Sequence, residues 1–170
     1  MNPTSPRNPG SDTAGSPYSF SSRWHIAASK PRVWQAFEEL LASDDPFVWW
    51  PGMDSERRDQ DIHVVAGSPV GYSLRFRLHD LVQTPMERVQ LQSDGDLLGS
   101  ADLRLAAVDD TSSTIDVSWQ VDVTQPWMRR MRLVLRPVFV LAHDAVMRAG
   151  ERGLNVWLRA QAERDSDPVG

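Results

Sequence analysis

Polar and apolar positions alternate from Tyr18 to Ile26, with Phe20, Ser22, Trp24 and Ile26 on one side and Ser21, Arg23 and His25 on the other. That is the period of a strand that buries one face. The period then changes. Val33, Trp34, Phe37, Leu40 and Leu41 recur at helical spacing behind Ser29, a residue type suited to an N-cap, and Pro31, which a first helical turn tolerates. The stretch DDPFVWWPGMDS ends this helix and reads as a connection rich in aromatics and interrupted by two prolines. Strand-like segments follow at 61–66, 70–79, 86–93, 96–108 and 114–124, separated by GSP, QTP, DGD and DDTSS. Links that short predict antiparallel neighbours in a meander, because a parallel crossover needs about a dozen residues.

Two segments assign the buried face. Tyr72, Leu74, Phe76 and Leu78 oppose Ser73, Arg75, Arg77 and His79; Ile115, Val117, Trp119, Val121 and Val123 oppose Asp116, Ser118, Gln120 and Asp122. Arg75, Arg104 and Asp102 are thereby placed on the outer face. After Thr124 the pattern turns helical to about Ala162, with Pro126 able to open the helix and Pro137 expected to kink or break it. From Pro137 about 24 residues remain, roughly 36 Å of helix. At about 100° per residue, Asp144, Arg148, Glu151, Arg152, Asn155 and Arg159 form a polar stripe, with Asp144 facing water and able to pair with Arg148. His143 falls instead beside Phe139, Val146, Gly150, Leu154 and Trp157, facing the sheet and apart from Asp144. Gly150 and Gly153, inside that helix, predict close packing against the sheet or the first helix, or room for a ligand.

These elements give an α+β domain with helices against one face of a curved antiparallel sheet of about six or seven strands. Such a sheet is about 30 Å wide, whereas a helix covers about 10–12 Å. A gap lined by apolar side chains is the geometric consequence.

Composition narrows the function classes. At 170 residues, 41% hydrophobic and 24% charged, the chain suits one globular domain with a core of its own. The tails at 1–17, with four prolines, and at 163–170 are expected to be disordered around a domain at 18–162. No cysteine is present, which removes thiol catalysis and Cys-ligated zinc and fits a reducing, cytoplasmic setting. The net charge of -5 argues against nucleic-acid binding. His25, His63, His79 and His143 lack metal-ligand spacing, and no Ser sits in a nucleophile elbow, so neither a metal nor another cofactor is expected. One segment breaks the acidic balance. PWMRRMRLVLRP sets Arg129, Arg132 and Arg136 on one helical face and Trp127 on the other, a pattern suited to an anionic membrane surface or to a solvated face over a core stripe.

The motifs AASKPRVWQAF, WWPGM, GDLLGSADLRL and RPVFVLAHDAVMRAGERGL resemble the polyketide cyclase/dehydrase branch of the START-like, Bet v 1-like (SRPBCC) superfamily over about 18–160. The resemblance implies a helix-grip fold, a sheet gripping the long C-terminal helix around a deep cavity, and ligands such as lipids, sterols, polyketides or quinones. Trp24, Tyr72, Phe76, Leu103, Trp119, His143 and Met147 are the candidates for a pocket wall, with core packing as the alternative for each. No catalytic residue is assigned. The expected function is binding or carriage of a hydrophobic small molecule; a cyclase or dehydratase, and membrane-docking lipid transfer, are the alternatives.

Overall fold

The computed structural model describes residues 18–67, 71, 73–124 and 132–166, with the helical backbone alone for 132–140. Strand β1 (Tyr18–Ile26) leads into helix α1 (Lys30–Ala42). Six strands follow as a meander: β2 (Met53–Arg58), β3 (Asp61–Gly67), β4 (Ser73–Thr84), β5 (Arg88–Gly95), β6 (Leu97–Ala107) and β7 (Ser113–Val123). Helix α2 (Arg132–Ser166) closes the chain. The strands form one antiparallel sheet in the order β1-β7-β6-β5-β4-β3-β2, so β1 and β2 are its edges.

Alternation explains the sheet's two faces. Phe76 and Leu78 of β4, Val89, Leu91 and Ser93 of β5, and Ile115, Val117 and Val121 of β7 are buried, while Arg75, Ser118 and Gln120 are exposed. Arg104 and Asp102 lie on the outer face as expected, where Asp102 bridges Arg88 at 2.6 Å and Arg104 at 3.1 Å. The hydrogen bond from Arg88 holds the Asp102 carboxyl below the usual carboxylate range. Helix α1 buries Val33, Trp34, Ala36, Phe37 and Leu40 against the inner face. Ser29 is its N-cap by backbone geometry, but its side chain makes no capping bond; Ser43 closes the other end by donating to the Leu40 carbonyl.

The structure corrects the sequence in four places. Met53–Arg58, expected to be part of a connection, is an edge strand. The backbone of α2 runs unbroken through Pro137 and ends at Ser166 rather than near Ala162, so part of the expected tail is helical. A proline forfeits one backbone bond and crowds the preceding turn, but a long helix with many other bonds can absorb that loss. Glu151 and Asn155, expected on a polar stripe, instead cover the open edge of β1. The Glu151 carboxylate accepts from His25 N at 2.9 Å, the Asn155 oxygen accepts from Ala27 N at 2.8 Å, and its amide donates to the His25 carbonyl at 2.9 Å. An uncovered edge would leave those groups available to another strand. Finally, Asp144 is exposed but forms no ion pair with Arg148 among the described residues.

Candidate functional site

Two apolar clusters make the core. One gathers α1, α2 and the β1–β7 side of the sheet around Trp24, Phe37, Ile115 and Leu154. The other sits on β3 to β6 around Ile62, Phe76, Leu78 and Leu91. Between them lies a cavity of about 100 Å³, the gap expected where helices are narrower than the sheet they cover. Helix α1 contributes Phe37, Leu40 and Leu41; the loop after it contributes Pro46, Phe47, Trp49 and Trp50; Met147 comes from α2 and the sheet supplies the remainder. Among the described residues, no charged side chain lines it.

Of the residues singled out from sequence, Trp24, Phe76, Leu103, Trp119 and Met147 all meet at this wall. His143 does not line it. Its ring stacks on Phe20 of β1, with centroids 4.0 Å apart, and burial pushes its pKa below the ordinary histidine value, opposed weakly by Asp144. Tyr72, Trp127 and Arg129 lie outside the described residues. Arg132 and Arg136 belong to the first turns of α2, where only the backbone is described.

The sequence missed the contribution of the α1–β2 loop. FVWW reads as a connection because its partners are distant in the chain. Trp50 donates its indole N–H to the Val146 carbonyl of α2 at 3.0 Å, and Trp49 donates to the Pro46 carbonyl at 3.0 Å. Gly150 and Gly153 make this docking possible. A Cβ at Gly150 would sit 2.6 Å from the Trp50 ring, and one at Gly153 would sit 2.1 Å from the Trp49 carbonyl oxygen. At Gly150 and Gly153 the helix thus packs closely as expected, against Trp24 of the sheet and, in addition, against this loop. Trp24 meets Trp49 and Trp50 edge to face at 6.0 and 5.2 Å, an arrangement that aromatic quadrupoles favour.

Polar chemistry is concentrated outside. An open groove across β2 to β5 carries Glu56, Arg58, His63, Arg75, Arg77 and Asp94, and Arg77 pairs there with Asp61 at 2.9 Å and with Asp94. Among the described residues, no group of three His, Asp or Glu side chains could hold a metal ion, and no helix is long and apolar enough to cross a membrane.

No family model and no curated protein matches the chain. Solved structures do match. The protein TTHA0849 from Thermus thermophilus superposes with a TM-score of 0.66 at 15% identity, over 85% of this chain and 99% of that one. A START superfamily protein from Mycobacterium smegmatis gives 0.60 at 14% identity, over 84% and 98%. The Zhui aromatase/cyclase from Streptomyces sp. R1128 gives 0.58 at 12% identity, over 90% and 98%. Likeness at such low identity is a likeness of fold, and by it the chain shares the helix-grip architecture of these structures, an antiparallel sheet wrapped against a long C-terminal helix.

Proposed function

We propose that this chain binds and carries an uncharged hydrophobic small molecule in the cavity between its sheet and helices. The observation that carries the reading is the wall itself, which among the described residues is built from apolar side chains, seven of them aromatic, with no charged group. An apolar enclosure lined by aromatics is the usual character of a small-molecule site. A buried charge without a partner would be strongly disfavoured there, so the ligand is neutral where it is enclosed. The volume, about 100 Å³, suits at most a body of about one ring; a larger ligand would have to displace the α1–β2 loop. Turnover is the weaker reading, because acid–base chemistry needs a titrating side chain within reach of the substrate. Among the described residues that line the cavity there is none.

The test is extraction of the purified protein with organic solvent, followed by mass spectrometry, in parallel with Ala101→Phe. Ala101 lines the wall opposite Leu91 and Trp119, so a phenyl ring there occupies the cavity. A neutral molecule at near-stoichiometric amount, absent from the folded variant, is expected. No such molecule, together with no uptake of added apolar compounds by the native chain, would sink the proposal.

A further inference from the structure

The α1–β2 loop, residues 43–52, is held together by bonds of its own. Val48 N donates to the Asp45 carbonyl at 3.3 Å, Trp50 N to the Phe47 carbonyl at 2.7 Å and the Trp49 indole to the Pro46 carbonyl at 3.0 Å. Its rings pack on one another as well, Trp50 lying 5.0 Å from Trp49 and 5.8 Å from Phe47. A compact loop of this kind, packed on its own side chains, can move as one piece. Its tethers lie to one side. The Asp44 carbonyl accepts from Arg57 N at 2.8 Å, and Ser55 Oγ accepts from Phe47 N at 2.9 Å and donates to the Asp45 carboxylate, so β2 holds the loop from its far end. Gly52, with φ of 84°, closes the loop in a left-handed conformation that glycine adopts without strain. On the other side, among the described residues, one hydrogen bond joins the loop to α2: Trp50 Nε1 donates to the Val146 carbonyl at 3.0 Å.

This loop is the part of the cavity wall that can yield. A dry cavity of about 150 Å³ takes benzene, and this one measures about 100 Å³, so a body larger than one ring needs room that the resting wall does not give. The sheet is fixed by continuous strand pairing, α1 by its buried face, and α2 by the bonds of Glu151 and Asn155 to β1. The loop instead rests on bare helix, since Gly150 and Gly153 present no side chain for Trp50 and Trp49 to interlock with. Lifting it breaks the Trp50 bond but leaves the Val146 carbonyl within the helix's own ladder. Phe47, Trp49 and Trp50 all line the cavity, so a lift enlarges it directly.

We propose that the α1–β2 loop is a flap that lifts from α2 to admit bodies larger than one ring, and that the bond from Trp50 to Val146 is the clasp that sets the size limit. The flap rests on the binding reading above, and the two can fail separately. Toluene and naphthalene, one ring and two, are titrated into the full chain, with affinity and the solvent exchange of the indole N–H protons followed by NMR. The native chain is expected to bind toluene more tightly than naphthalene. With naphthalene bound, the Trp50 N–H should exchange faster than in the free chain by about fivefold or more, the worth of one hydrogen bond. The Trp49 N–H, bonded inside the loop, should not change. Trp50→Phe and Trp49→Phe remove similar ring volume, but only the first removes the clasp. Trp50→Phe should therefore strengthen naphthalene binding about fivefold more than Trp49→Phe does, and the two variants should bind toluene alike. The exchange measurement uses the native chain, so it decides even where a variant does not fold. Toluene binding without naphthalene binding would show a fixed wall, and naphthalene bound as tightly as toluene would leave no size limit. Naphthalene bound with the Trp50 N–H as slow as in the free chain would show that another wall yields, and an equal gain from both substitutions would reduce the effect to lost volume. Each of these results overturns the flap while the cavity stands. If neither compound binds, the binding reading falls and the flap falls with it.

Discussion

Replacing Gly153 with alanine sets two well-defined effects against each other. Alanine is the better helix former by about 1 kcal/mol, so propensity alone favours the variant. Packing opposes it, because the new methyl would sit 2.1 Å from the Trp49 carbonyl oxygen and 2.9 Å from Pro51 Cδ, where ordinary contact begins at 3.4 Å. The near atom is backbone, so no rotamer change relieves the contact; the α1–β2 loop must withdraw by roughly 1 Å or more in a close-packed interior. Overpacking of this kind costs about 1–3 kcal/mol. Withdrawal also strains the bond from Trp50 Nε1 to the Val146 carbonyl, worth about 1 kcal/mol. The balance is a net loss of about 2 kcal/mol, or a fall in Tm of about 4–8 °C for a chain of this size. Urea titration followed by tryptophan emission measures it, with Ala162→Gly, an exposed position in the same helix, as the control for propensity. That control should cost at most about 1 kcal/mol. A Gly153→Ala protein as stable as the native chain, or more stable, would refute the argument that this contact sets the helix–loop distance.

Acid should weaken the fold through His143 before the carboxylates titrate. Its folded pKa is lowered by burial, so the unfolded chain binds the proton more readily, and stability falls as pH drops below the ordinary value of 6.5. His143→Gln should flatten the dependence of unfolding free energy on pH between about 6.5 and 5; an unchanged slope in urea titrations would show that another group is responsible. Asn155→Ala should cost about 1–3 kcal/mol in the same measurement, because it strips partners from Ala27 N and the His25 carbonyl on the open edge of β1. A neutral result would mean that water replaces the side chain there.

The elements with one apolar face were legible in the sequence. In β1, α1, β4 and β7 the period of two or of 3.6 matches the burial of the described residues. Strand β2 was not legible, since Met53, Ser55 and Arg57 point to the half-buried side and Asp54, Glu56 and Arg58 to solvent. That sequence carries little hydrophobic signal, as suits an edge strand protected from further pairing by charge. The aromatic pocket wall was half legible for a related reason. Trp24, Phe76, Leu103, Trp119 and Met147 declare themselves by their place on regular elements, whereas Phe47, Trp49 and Trp50 acquire theirs only by docking on α2.

Polarity along a helix is ambiguous in a way that decides how this fold is read. A polar stripe faces water in most surface helices, yet the outer edge of a sheet also presents unpaired N–H and C=O groups, and a polar side chain satisfies either. Glu151 and Asn155 choose the edge of β1, while Asp144 and Arg148, on the same side by helical angle, remain exposed. The docking of α2 along β1 then places His143 over Phe20, the cross-strand neighbour of Trp119. Charged pairs such as Arg23–Asp116 and Arg88–Asp102 lie on the outer face of the sheet. Among the described residues, the cavity wall itself is made of apolar side chains, seven of them aromatic. If this cavity takes a ligand as proposed, discrimination would come from shape and from the cost of enclosing charge, which separates a neutral ligand from an ionised one more sharply than it separates two hydrocarbons.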